Sequence, residues 1–535
     1  MINTPAPVVV QPSLWAGNDG NWSTFLLGVG SPAQYFGVLP SVLSSEVWIP
    51  VPEGCTWIPS SVLPNCGATR GALDSGSLGF QTNRSTTWSQ IGLQYLGTGQ
   101  NLYGPTTQAG LFGFDTVSFG PDLAGYRIPD QLIAGIATQD YWLGSLGLAT
   151  NPSGFETVVE NVSSLVPSVK QANDSPSLSF GYAAGASYRS DVGSLILGGY
   201  DESAFEPSGL AFPINSDVNH ALSVMVESIV VTGTLAGVNG ALAGTASVPV
   251  GSGLNMTIDS STSQLWLPRT VCDFLEESFG LQYDRASGLY TVNNTIHSRL
   301  LQSNPQFTFT IAPNSSSTAS TNIILPYAAF DLQATIPIFN TSTNYFPIRR
   351  AANESQFVLG RTFLQEAYLV VDWELGNFTL GQAVHEKAKP RVVPIVHRQQ
   401  DPKATSGLSA GTIAGIVIGV LVVLAAIVLA IWYFRRRKQK QSRLTEAGTT
   451  EKIEEPLEWD EDKKGPAELF QDDKKAPTEL WHESTHPSEA QSQELLELHG
   501  HSTKQMLMST QLYELDAGTA GQELQASTDR PRTGR

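Results

Sequence analysis

One pattern in this chain occurs twice. Residues 39–50 read LPSVLSSEVWIP, and residues 257–268 read TIDSSTSQLWLP. When Trp48-Ile49-Pro50 is laid on Trp266-Leu267-Pro268, Ser44-Ser45 falls on Thr262-Ser263. At the same distance before each Trp, one copy holds Asp259 and the other Ser41. In both copies an apolar run enters a Ser/Thr-rich turn and leaves through an apolar-Trp-apolar-Pro exit. Further on, each copy meets an apolar-Gly landmark, Leu146-Gly147-Leu148 in the first half and Val358-Leu359-Gly360 in the second. Matched landmarks in one order predict a duplicated lobe, with halves at 1–192 and 193–383.

The rest of the sequence says what kind of lobe. A chain of 535 residues exceeds one ordinary core. Over the first 380 residues charge is sparse, while Gly, Pro, Ser and Thr are abundant. Short Val/Ile/Leu/Phe runs are broken by turn residues every 8–12 positions or so, which predicts an all-β fold. The net charge of -18 argues against a nucleic-acid partner. Three scattered cysteines make no zinc site, and no cofactor motif is present. Cys55 and Cys66 lie close enough for an oxidised loop in a secreted chain. Cys272 has no evident partner and reads as a buried thiol.

Residues 410–434 (AGTIAGIVIGVLVVLAAIVLAIWYF) carry no charge, a length that crosses a hydrocarbon layer of about 30 Å. Arg435, Arg436, Arg437, Lys438, Lys440 and Arg443 follow, so the positive-inside rule places that end in the cytoplasm. The expected topology is a single-pass type I membrane protein. Gly411, Gly415 and Gly419, spaced by four, would allow close helix approach. Ten N-x-[ST] sites precede the segment: Asn21, Asn83, Asn161, Asn173, Asn255, Asn293, Asn314, Asn340, Asn353 and Asn377. Chance at this Ser/Thr content predicts roughly four or five, so the excess favours a glycosylated, extracellular or lumenal face. The first residues, MINTPAPVVVQPSLW, show no basic and apolar leader, and a signal peptide is expected upstream of them.

Residues 384–409 are polar and contain Pro, and read as a stalk. The tail at 435–535 is expected to be disordered: from 444 onward it holds nine Lys/Arg against twenty Asp/Glu and cannot bury enough apolar surface. Within 462–481, DKKGPAELF and DKKAPTELW repeat an acidic, Pro-stiffened stretch ending in an aliphatic-aromatic pair. Such a unit suits a cytoplasmic partner's groove, or is drift in low-complexity sequence.

Over 8–383 the chain resembles the pepsin family of aspartic proteases. QYFGVLP leading into SVLSSEVWIP stands where the family has its first D-T-G-S-S-x-aliphatic-Trp-aliphatic-Pro loop. FQTNRSTTW (80–88) and AGLFGFDTVSFG (109–120) resemble the segments that follow it, the second being the return strand of the flap. GSLILGGYDESAF (193–205) resembles the lobe connection, and FVLGRTFLQEAYLVVDWELGNFTLG (357–381) resembles the C-terminal hallmark. The membrane-anchored layout with an acidic tail is similar to fungal members. The resemblance implies a bilobal double β-barrel, a Cys55–Cys66 disulfide and a dyad of two aspartates across the lobe interface. Such a dyad shares one proton and holds one water; one carboxylate activates the water while the other acid donates to the peptide carbonyl.

This sequence supplies Asp259 for the second aspartate. Ser41 stands at the first, with Val42 and Leu43 in place of the family's Thr and Gly, and Ser261 in place of the second loop's Gly. A lone Asp259 is expected to titrate near the ordinary value of about 3.9. Glu46 is near in sequence but projects from another place in the loop. Asp74-Ser75-Gly76-Ser77 spells a dyad-like motif, yet it follows Cys66 and lacks a Trp at the required spacing, so it reads as a surface turn. Asp115 reads as structural. Tyr95 is the positional candidate for the flap tyrosine, with Tyr103 competing, and either also reads as an ordinary strand residue. The implied function is a non-catalytic relative that binds peptide or wall material in its cleft. The alternatives are an active acid endopeptidase, or a scaffold that works through its tail.

Overall fold

The computed structural model describes residues 5–97, 108–120, 126–153, 162–172, 174–233, 244–385, 389–397 and 410–442; side chains within the last segment are described for 421–437. The tail, its repeat at 462–481, Tyr103, Asn161 and Asn173 lie outside the described residues. One compact unit spans Met1–Ser409, and a second spans Ala410–Arg535.

Strand pairing in the first unit repeats as the two sequence copies predict. In the first half Gln34–Ser41 runs parallel to Gly144–Gly147, with Ser41 opposite Gly147. Val47–Pro50 runs antiparallel to that same strand and parallel to Arg127–Ile136. In the second half Leu254–Ile258 runs parallel to Val358–Leu359. Leu265–Leu267 runs antiparallel to it and parallel to Ile348–Arg350. The apolar-Gly landmarks are therefore the strand that each loop wraps. Their glycines are needed for close approach: a Cβ on Gly147 would lie 2.7 Å from the backbone of Glu46 and Ser44, and one on Gly360 would lie 2.3 Å from the Gln264 carbonyl.

Each triplet sits inside an eight-stranded sheet, one between Pro12 and Gly147 and one between Ser223 and Leu359. A seven-stranded sheet joins the halves. It takes Val8–Val10, Ser179–Ala183 and Ser194–Leu197 from one side and Phe205–Pro207, Phe212–Pro213, Ala367–Asp372 and Asn377–Ala383 from the other. The all-β, two-lobed expectation holds, but a boundary at 192/193 cuts through this shared sheet. One apolar cluster runs through both lobes, joining Phe25, Val38 and Leu146 to Ile258, Leu359 and Phe363. Each such side chain contributes about 1.5–3 kcal/mol on burial.

Cys55 and Cys66 form a disulfide. Cys272 is buried and free, its thiol pushed up to about 12 by burial. Among the described sequons, Asn21, Asn83, Asn255, Asn293, Asn314, Asn340 and Asn353 are exposed, and Asn377 is half-buried.

The stalk differs from expectation. Residues 389–397 lie along the domain, and Val392–Pro394 pairs antiparallel with Gly199–Asp201. A helix spans Ala410–Ser442. Among the described residues no helix is long and apolar enough to cross a membrane; the segment expected to do so, 410–434, begins before the first described side chain of that helix.

Candidate active site

Residues of both sequence copies line one cleft of about 490 Å³, among them Asp19, Ser41, Glu46, Trp48, Asp259 and Arg361. Ser41 ends its strand and is 2% exposed, its carbonyl accepting from Leu148 N–H at 2.9 Å. Asp259 follows its strand and is 3% exposed, its amide donating to the Leu359 carbonyl at 3.1 Å. The structure thus brings the two matched positions to one cleft. Neither Leu43 nor Ser261 has positive φ, so both turns close without the backbone freedom of glycine.

The loops are tied across the interface from one side. Ser260 Oγ accepts from Val42 N–H at 3.0 Å and donates to the Pro40 carbonyl at 2.7 Å. Both partners are buried, so this one hydroxyl satisfies two main-chain groups of the opposite loop. Val42 occupies the matched place in the first loop and has no hydroxyl to reciprocate.

Asp259 Oδ1 accepts from Ser261 N–H at 2.8 Å. Burial pushes the Asp259 carboxyl up from its ordinary value, against the pull of the Ser261 bonds and the nearby Arg361 guanidinium. The expectation of an ordinary titration for a lone Asp259 is therefore corrected: removing a like charge matters less than removing water.

Sequence reasoning missed Arg361, Asp19 and Ser260. Arg361 is 4% exposed at the start of the short helix Arg361–Leu364. Its Nη1 donates to the Ser260 carbonyl at 2.8 Å, its Nη2 lies 3.4 Å from Asp19 Oδ2, and the guanidinium carbon sits 4.9 Å from the Trp22 ring centre. Asp19 also accepts from Ser263 Oγ at 2.7 Å and from Trp22 Nε1 at 2.9 Å. A signal for Arg361 was present, a cation inside the otherwise apolar stretch FVLGRTFL. Asp19, in a polar N-terminal turn, gave none.

Glu46 faces the cleft too, contrary to the expectation that it projects elsewhere. Its Oε2 accepts from Trp48 Nε1 at 2.7 Å, and the Gly97 amide bonds the same carboxylate. Burial pushes its carboxyl up, with these two bonds opposing.

Tyr95 does not cover the cleft. It ends the strand Ser89–Tyr95 at 72% exposure, and strand alternation turns Leu96 inward against Trp48 and Phe112 instead. Asp74 sits in a turn, accepting from Tyr35 N–H at 3.4 Å, and is not among the residues lining the cleft. Asp115 accepts from Ser85 Oγ at 3.0 Å and from Thr116 N–H at 2.8 Å, the structural role expected of it.

Comparison with known proteins agrees with this architecture. Secreted aspartic protease 8 of Candida albicans (strain SC5314 / ATCC MYA-2876) is 25% identical over 373 residues, covering 70% of this chain and 78% of the relative. Gastricsin of Suncus murinus is 23% identical over 380 residues, covering 67% and 80%. Rhizopuspepsin-2 of Rhizopus niveus is 27% identical over 249 residues, covering 44% and 54%. Residues 25–383 match the model of the eukaryotic aspartyl protease family, and with both loops of that architecture meeting in one cleft, this chain belongs to it.

Proposed function

We propose that this protein is a membrane-anchored glycoprotein whose pepsin-type cleft binds extended peptide without cleaving it. The observation that carries this is Ser41. Peptide hydrolysis by a carboxylate pair needs one protonated and one ionised group about 3 Å apart. Ser41 can neither share that proton nor activate water as a carboxylate does.

Anchoring rests on the uncharged run at 410–434 and on the helix that carries it. Leu421, Val422, Val423, Leu424, Ile427 and Val428 are all exposed, and a helix that is apolar all round belongs in lipid or inside protein. The sequon excess and the word "secreted" in the name of the Candida relative support an extracellular or lumenal ectodomain. The repeat at 462–481 is then a cytoplasmic docking segment.

A second function, acid endopeptidase, draws on Glu46, the other cleft carboxyl raised by burial. It would require Glu46 to leave Trp48 and Gly97. One experiment decides: incubate the purified chain with quenched fluorescent peptides at pH 3–6, with and without pepstatin. We expect peptide binding and no turnover. Pepstatin-sensitive turnover that Asp259→Asn abolishes would overturn the binding function.

A further inference from the structure

Away from the cleft, the segment that leaves the domain carries two histidines, and both face carboxylates. His385 Nδ1 lies 2.9 Å from Asp191 Oδ2 and its Nε2 lies 3.2 Å from Glu366 Oε1. His397 Nε2 lies 3.0 Å from Asp372 Oδ2 and 4.0 Å from Glu374 Oε2. Between them the chain is fastened by main-chain bonds. Val392–Pro394 pairs with Gly199–Asp201, Arg391 N–H donates to Asp201 Oδ1 at 2.8 Å, and Ile395 N–H donates to the Gly198 carbonyl at 3.0 Å. Arg391 Nε also meets Glu202 Oε2 at 2.9 Å. Ile395 packs on the cluster of Phe205, Tyr368 and Tyr200.

We propose that residues 384–385 and 389–397 form a strap that histidine–carboxylate clasps hold to the domain, and that the clasp at His385 lets go as pH rises. The geometry at His385 carries the argument. Nδ1 pairs with Asp191 Oδ2, while Nε2 is buried 3.2 Å from Glu366 Oε1 without a hydrogen bond. A neutral imidazole donates from one nitrogen only and turns a lone pair toward the second carboxylate, whereas the imidazolium donates from both.

The groups around His385 fit this. Glu366 is itself buried and takes donors from Tyr188, Arg189 and Gln382. Burial pulls the His385 ring down, yet Asp191 and Glu366 together push it above its ordinary value, with Arg189 opposing them. At the other clasp, Glu374 is shared with Lys170. The sign follows. Bound imidazolium stabilises the strap fully below the ordinary histidine value of about 6.5, and that stabilisation is lost as pH climbs through the raised value.

The test is hydrogen exchange on the full chain in detergent at pH 5.5 and pH 8, with each rate divided by the intrinsic rate at that pH. Protection of the Val393 and Ile395 amides should fall about tenfold or more between the two conditions, since one imidazole contributes up to about tenfold per pH unit. The Leu369, Val370 and Val371 amides of the shared sheet should not change, which shows the domain intact. In His385→Gln/His397→Gln, strap protection should be low at both pH values. His397→Gln alone, which leaves His385 and Glu366 undisturbed, should keep the pH response. Strap protection that is flat with pH, or that falls equally in the double variant, would overturn the proposal.

Discussion

The loop ending in Trp48 and the loop ending in Trp266 occupy the same strand frame but are secured differently. The second loop is stitched. Ser260 bridges to the opposite loop, Ser263 bonds Asp19, Thr262 Oγ1 bonds Gln264 Oε1 at 2.9 Å, and Arg361 N–H caps the Thr262 carbonyl at 2.8 Å. The first loop returns none of this across the interface from Val42. It leaves Leu43, Ser44 and Ser45 half-buried along the cleft, where Thr262 and Ser263 are buried. One copy serves as an anchor and the other as an opened wall. A repeat can keep its backbone frame while only one copy keeps the hydroxyl that crosses the interface and the carboxylate at the matched position.

The largest expected effect comes from cutting the anchor's charge. Arg361→Met leaves the half-buried Asp19 and the buried Asp259 beside no guanidinium, and stability should fall by about 3–5 kcal/mol in chemical denaturation at pH 7. A loss under 1 kcal/mol would mean that Arg361 is a bystander and the stitching picture is wrong. Next is Ser260→Ala. It strips Val42 N–H and the Pro40 carbonyl of their partner together, at about 2–4 kcal/mol. Val42→Thr sharpens the same contrast from the other side. If the frame is symmetric, the new hydroxyl finds the matching main-chain groups and adds up to about 1 kcal/mol. If not, it is an unpaired buried hydroxyl and costs a similar amount.

Each loop also carries one carboxyl raised by burial, Glu46 in the wall and Asp259 in the anchor. A raised carboxyl holds its proton in the folded chain over a range where the unfolded chain has lost it. Stability therefore falls as pH rises from about 4 through the raised value, then levels. Asp259→Asn and Glu46→Gln should each flatten that fall. Each unit of displacement corresponds to about 1.4 kcal/mol, read as the difference between variant and parent midpoints from pH 4 to pH 8. A difference that stays constant across this range would show that neither carboxyl is perturbed.

What the sequence revealed and what it hid divide along physical lines. The Trp, the Pro and the apolar-Gly landmarks were legible because strand pairing demands particular shapes at fixed spacing, and Gly147 and Gly360 meet backbone at distances no side chain tolerates. The substitution at Ser41 was legible because the second copy supplied its own control. Arg361 and Asp19 were not, because their meeting depends on how an N-terminal turn and a C-terminal helix fold over Trp22, which no local period encodes. Of the two readings of Tyr95, the ordinary strand residue holds, because its strand's alternation, rather than its position along the hairpin, decides which side chain faces in.

The smallest expected effect is the most informative about activity. Ser41→Asp with Leu43→Gly returns a carboxylate and a turn glycine to the wall. If the two loops differed only by these groups, acid-pH turnover sensitive to pepstatin would appear. We expect none. A shared proton forms because two like charges cannot both ionise, and burial already holds Asp259 toward its protonated form, with Arg361 opposing only in part. A new carboxylate would nonetheless sit on a loop whose Val42 gives the opposite lobe no hydroxyl, and a dyad misplaced by about 1 Å loses on the order of a hundredfold in rate. Turnover should emerge only when Val42→Thr is added to the pair. Its emergence with the first two changes alone would show that the wall and the anchor still hold one geometry, and that the missing carboxylate is the whole difference between them.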